Sequence, residues 1–132
     1  MPTSKVLFVD DDRLVREAFV FAHEDYFSLV LADGGKQALQ ILKKDKAIGV
    51  VVIDIRMPVM GGLELAKLIR EAWPERKIII HTANVSITNV VESINQIHVD
   101  GFLEKVAEGE DAMEKVRTLI SLRLREYEQG AR

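Results

Sequence analysis

The sequence predicts a doubly wound α/β domain, a parallel sheet with helices on both faces. Three observations carry this. Five short apolar runs, residues 6–9, 29–32, 50–53, 78–80 and 101–103, alternate with five segments of helical apolar spacing. The first and third runs are β-branched or aromatic with little polar alternation, as in strands covered on both sides. The helical segments are long enough to serve as crossovers between parallel neighbours, and such crossovers are right-handed.

Each helical segment has its own stripe. Leu14, Val15, Ala18, Phe19 and Ala22 form the first, behind Asp12 as N-cap, and His23 is expected on that helix's surface. Ala38, Leu39 and Leu42 form the second, after a Gly34-Gly35 turn where Asp33 reads as a turn acid. Leu63, Leu65, Ala66, Leu68 and Ile69 form the third, which stops near Trp73 because the residue before Pro74 disfavours helix. Ile87, Val90, Val91 and Ile94 mark the fourth; Met113, Val116, Ile120, Leu124 and Tyr127 mark the fifth.

The bulk numbers narrow the function. The 132 residues suit one domain, and 48% hydrophobic residues argue against disorder. A net charge of −3 offers no basic surface for nucleic acid or an anionic membrane. The absence of cysteine excludes disulfides and thiolate metal sites. The opening residues lack a basic-then-apolar leader, and no apolar run reaches membrane-spanning length. A cytoplasmic protein without direct nucleic-acid or membrane contact is therefore expected.

The chemistry gathers at strand ends. Asp10, Asp11 and Asp12 follow the first strand, and Asp54 ends the third. In a doubly wound sheet the ligand crevice lies beyond the carboxyl ends of the strands where winding reverses. If strands one and three meet there, Asp10, Asp11 and Asp54 converge. Carboxylates that close disfavour one another's ionisation unless a cation intervenes. A hard divalent ion with oxygen ligands resolves this, and Mg2+ suits one or two carboxylates plus water and phosphate oxygens. Thr82 ends the fourth strand and Lys105 the fifth. A carboxylate nucleophile, a metal, a hydroxyl and an ammonium at equivalent strand ends make a phosphoryl site.

These residues resemble a known family. "VLFVDDD", "VVIDIRMPVMGG", "IIIHTA" and "DGFLEK" are similar, in order, to the signatures of two-component receiver domains, from about residue 5 to about residue 124. The resemblance implies a flavodoxin-like sheet of order 2-1-3-4-5 flanked by five helices. It implies that Asp54 is the phosphoacceptor and that Asp10, Asp11, Asp54 and the backbone carbonyl of Arg56 hold Mg2+, Asp11 directly and Asp10 partly through water. Thr82 would turn its hydroxyl to the phosphoryl oxygens, Lys105 would pair with them, and Phe102 would be the aromatic switch that packs inward with Thr82. The surface of helix four, strand five and helix five would then change shape. The implied partner is a sensor histidine kinase or phosphotransfer protein.

One departure stands out: the family usually follows the lysine with proline, and here Val106 follows Lys105. A cis bond before a non-proline residue costs about 2.5–4 kcal/mol, so a trans peptide is expected there. The resemblance also implies that Arg56 and Asn84, two residues beyond Asp54 and Thr82, face the phosphoryl group and tune the phosphate's lifetime, against plain loop exposure. Gly61-Gly62 is expected to let the loop after Pro58 close over the site. His81 should point away from Thr82, and the histidines His23, His81 and His98 lack metal-ligand spacing. Residues 1–124 are expected to form the receiver. Residues 125–132 read as a helix extension, as the start of a linker to an output domain in a longer regulator, or as a dimer seam; a homodimer through the surface of helix four, strand five and helix five stays open too. Two other function classes remain: a receiver-like interaction module that is never phosphorylated, and a Mg2+-dependent phosphatase. The second normally carries an acid two residues after its nucleophile, where this chain has Arg56.

Overall fold

The computed structural model describes residues 4–82, 95–104 and 109–130, with Thr82 and Glu104 followed through their backbone alone. Along the chain come β1 (Lys5–Val9), α1 (Arg13–His23), β2 (Leu29–Ala32), α2 (Gly35–Lys44), β3 (Ile48–Asp54), α3 (Gly62–Ala72), β4 (Lys77–Thr82), β5 (Gly101–Glu104) and a last helix, Glu110–Gly130. All five strands are parallel, in the order β2-β1-β3-β4-β5. Winding reverses between β1 and β3, which puts the crevice at their carboxyl ends. Residues 95–97 are helical; the fourth apolar stripe, Ile87, Val90, Val91 and Ile94, lies outside the described residues.

The sheet has a core on each face. Leu7, Val9, Val51, Ile53, Ile78 and Ile80 meet Ala38 and Leu42 of α2 and Leu65, Ala66 and Ile69 of α3. Val6, Phe8, Val50, Val52 and Ile79 meet Phe19 of α1 and Ile120 and Leu124 of the last helix. Neighbouring strand residues alternate faces, so covering both faces makes β1 and β3 read as unbroken apolar runs.

α1 departs from its expected stripe. Its ring Phe19 stacks on Phe8, with centroids 3.9 Å apart and planes at 11°. That contact sets the helix's rotation and brings Val15 and His23, one turn either side, inward. Leu14 is rotated out and 74% exposed, and Ala18 is exposed with it. His23, expected on the surface, is only 3% exposed.

β3 begins two residues earlier than expected, at Ile48. Gly49 interrupts the pattern because the Tyr127 ring of the last helix occupies the space a side chain would need. The Tyr127 hydroxyl donates to the Lys46 carbonyl at 3.2 Å, so the last helix stays packed beyond Leu124.

Two arginines tie the opposite rim of the sheet. Arg76, 2% exposed, donates to the carbonyls of Leu42 and Asp45, each at 2.9 Å, and lies over the Trp73 ring. Arg70 donates to the carbonyls of Pro74, Arg76 and His98 and to Asp100 Oδ2.

Candidate functional site

The β1–β3 register builds the site. Val9 pairs with Ile53, so the next residues, Asp10 and Asp54, emerge side by side where the two strands end. The Asp10 N–H still bonds the Ala32 carbonyl at 3.2 Å, after which the chain turns into α1. Asp12 caps that helix, as expected: its backbone is extended (φ −88°, ψ 115°) and its Oδ1 accepts the Leu14 N–H at 2.9 Å. The three consecutive aspartates thus have separate roles. Asp12 serves the helix, Asp10 is 1% exposed, and Asp11 faces solvent.

Carboxylate oxygens of Asp10, Asp11 and Asp54 lie within 4.8 Å of one another. Backbone donors orient two of them: Asp10 Oδ1 accepts the Asp12 N–H at 2.9 Å, and Asp54 Oδ1 accepts the Arg56 N–H at 3.3 Å. Asp54 itself is 5% exposed. Three converging carboxylates are a hard oxygen donor set, and a small divalent ion such as Mg2+ fits that chemistry.

The loop after Asp54 folds back tightly. The Gly62 N–H bonds the Ile55 carbonyl at 3.0 Å, and a side chain at Gly62 would collide with the Asp54 carbonyl oxygen. Of the glycine pair, Gly62 carries this close approach. Between Pro58 and Met60 the chain makes a γ-turn, with Val59 at φ 68° and the Met60 N–H on the Pro58 carbonyl at 2.7 Å. Arg56 lies on this loop with an exposed side chain.

The other expected residues are placed as follows. Asp54 pairs with His81 on β4, so the Thr82 backbone comes one step further along the rim, paired with Glu104 of β5. The Thr82 side chain, Asn84, Lys105 and Val106 lie outside the described residues, and with them the expected trans peptide. Phe102 is half-buried, pairs with Ile80, and packs against the core on the α2–α3 face. The His81 ring lies on the α1 face, 5.6 Å from the Phe8 ring and 6.5 Å from that of Phe19. Sequence reasoning passed over Arg16, whose Nη1 donates to the Asp10 carbonyl at 2.8 Å. A basic residue one helical turn past an aspartate N-cap is the available signal, and it is a weak one.

Fold and site together define a class: a doubly wound domain with an acidic pocket at the reversal of winding. Residues 6–117 match the Response regulator receiver domain family, and the chain belongs to it. Response regulator MprA of Mycolicibacterium vanbaalenii is 31% identical over 117 residues, covering 88% of this chain and 50% of its own length. Response regulator protein FleR of Pseudomonas aeruginosa is 35% identical over 98 residues, 70% of this chain and 20% of its own. The chain thus spans half or less of the length of these curated relatives. Among solved structures, a response regulator receiver protein from Pseudomonas putida superposes with TM-score 0.81 at 27% identity, covering 92% of this chain and 98% of that one. A CheY-like receiver domain from Methanospirillum hungatei JF-1 gives TM-score 0.84 at 23% identity over 96% and 98%, a likeness of fold. Among the described residues no helix is long and apolar enough to cross a membrane.

Proposed function

We propose that the chain is a phosphoacceptor domain in which Asp54 takes a phosphoryl group from a sensor histidine kinase or phosphotransfer protein in the cytoplasm. The observation that carries this reading is the buried Asp54 carboxylate, held within 4.8 Å of Asp10 and Asp11 where the winding reverses. An Asp54 oxygen forms a bond to phosphorus, and the bond from phosphorus to the donor's histidine nitrogen breaks. The product is an aspartyl phosphate.

Asp10, Asp11, Asp54 and the Arg56 carbonyl would hold Mg2+, which when bound neutralises charge on the phosphoryl oxygens. This chain's own groups supply the rest. The Arg56 N–H, already directed at Asp54, donates to the acidic site; the Thr82 hydroxyl and the Lys105 ammonium would complete the cradle. Because preorganised donors need no reorganisation as charge develops, such a cradle favours transfer. The phosphoryl group carries roughly −1.5 to −2 charge in place of the single carboxylate charge, with three further acceptor oxygens, which would draw Thr82 inward and let Phe102 follow. The altered surface spans the fourth helix, β5 and the last helix.

Residues 1–124 then act as the switch, and residues 125–132, whose Tyr127 still packs on the domain, are a helix extension or the start of a linker to an output domain. Kinase docking falls on α1, where Leu14 and Phe21 are exposed apolar side chains. Incubating the protein with acetyl phosphate and Mg2+ tests the reading. One acid-stable, base-labile phosphate mapping to Asp54 is expected. No adduct favours an unphosphorylated interaction module, and sustained turnover of a phosphoester favours a hydrolase.

A further inference from the structure

We infer that Arg16 is a positioning residue for the divalent-ion site, an inference that rests on the metal site proposed above. The Asp10 carbonyl lies where the β1 ladder ends, and Arg16 Nη1 donates to it at 2.8 Å. The Arg16 backbone N–H meanwhile bonds the Asp12 carbonyl at 3.0 Å, the first helical bond of α1. One residue therefore grips the acidic turn twice, by its backbone at Asp12 and by its guanidinium at Asp10. The Asp12 N–H in turn holds Asp10 Oδ1 at 2.9 Å. These bonds hold the Asp10 carbonyl and carboxylate together and fix the backbone that leads into Asp11. Arg13, also in the first turn, is engaged elsewhere: its Nε pairs with Glu17 at 2.9 Å on the exposed face.

Position and charge pull in opposite directions here. A guanidinium beside a cation site repels the cation, so an effect of charge alone predicts tighter Mg2+ binding when Arg16 is removed. Holding the acids in place predicts weaker binding, because groups that orient metal ligands typically contribute about 10–100-fold in affinity. The sign of the change separates the two.

The test titrates the full chain with MgCl2 at constant ionic strength and follows backbone amide shifts by NMR. Arg16→Met should bind Mg2+ about tenfold more weakly than wild type. Arg16→Lys, which keeps a charge and a donor, should recover most of that loss. If Arg16→Met does not fold, Arg16→Gln is read in its place. Unchanged or tighter binding in Arg16→Met overturns the inference. So does a lowered thermal midpoint in EDTA with an unchanged Mg2+ constant, the result of a purely structural role. Failure of wild type to bind Mg2+ at all overturns the metal site and the inference together.

Discussion

Asp10→Asn should stabilise the protein without metal and remove its response to Mg2+. Asparagine keeps the Oδ1 that accepts the Asp12 N–H and has nearly the same shape, so that bond survives while one charge of the acidic cluster is removed. Two unit charges 4.8 Å apart, the outer spacing of this cluster, repel by about 0.9 kcal/mol in water-like surroundings and about 3.5 kcal/mol at an effective dielectric of 20. Asp10 is buried while Asp11 faces solvent, so the relief falls between these limits, at about 1–3 kcal/mol. In wild type, Mg2+ at ten times its dissociation constant adds about 1.4 kcal/mol by linkage. The assay is urea unfolding of both proteins in EDTA and in Mg2+. Wild type should gain stability with Mg2+ while Asp10→Asn, more stable in EDTA, gains little. A variant that is less stable in EDTA, or that responds to Mg2+ as wild type does, refutes the idea that the acids repel one another and are reconciled by a cation.

Other predictions concern the scaffold. Burial, and then the nearby Arg117 guanidinium, hold the His23 imidazole below its ordinary 6.5, against the opposing pull of Glu110. The unfolded chain then binds a proton that the native state refuses. The resulting stability is complete above 6.5 and is lost as pH falls through the lowered native value, with a slope of at most about 1.4 kcal/mol per pH unit. His23→Leu should flatten that part of the stability–pH curve, measured by denaturant unfolding; an unchanged slope assigns it to other groups. Arg76→Ala strips two buried carbonyls of their donor and the Trp73 ring of its cation, and should cost about 3 kcal/mol in the same assay; a loss under about 0.5 kcal/mol, the level of ordinary surface changes, contradicts the clasp. Truncation after Leu124 removes the Tyr127 ring from Gly49 and its bond to Lys46, and should lower stability by about 1–3 kcal/mol while leaving an intact fold by circular dichroism. Loss of folding would place the domain boundary beyond Leu124.

Much of this architecture was legible from the chain because the strongest signals are local. β1 and β3 are covered on both faces, so their sequences carry no polar break until Asp10 and Asp54. An acid ending such a run is conspicuous, and parallel register brings the two together. The cap at Asp12 is likewise a property of adjacent residues. What was missed depends on partners distant in sequence. The α1 stripe is wide enough to face the sheet through either Leu14 and Ala18 or Val15 and His23, and the Phe8–Phe19 stack decides between them. Gly49 looks like the edge of a strand because its missing side chain is supplied by Tyr127. Arg16 resembles any helix-surface arginine until the path of the acidic turn is known. The order of the strands and the roles proposed for Thr82, Lys105 and Phe102 come from family resemblance rather than from periodicity.

Locating a divalent ion tests the central claim most directly. Crystals grown with Mn2+ in place of Mg2+ should show one strong anomalous peak among the carboxylates of Asp10, Asp11 and Asp54, and Asp54→Ala or Asp11→Ala should weaken it. A peak on another face of the domain, or none at saturating Mn2+, would contradict the account.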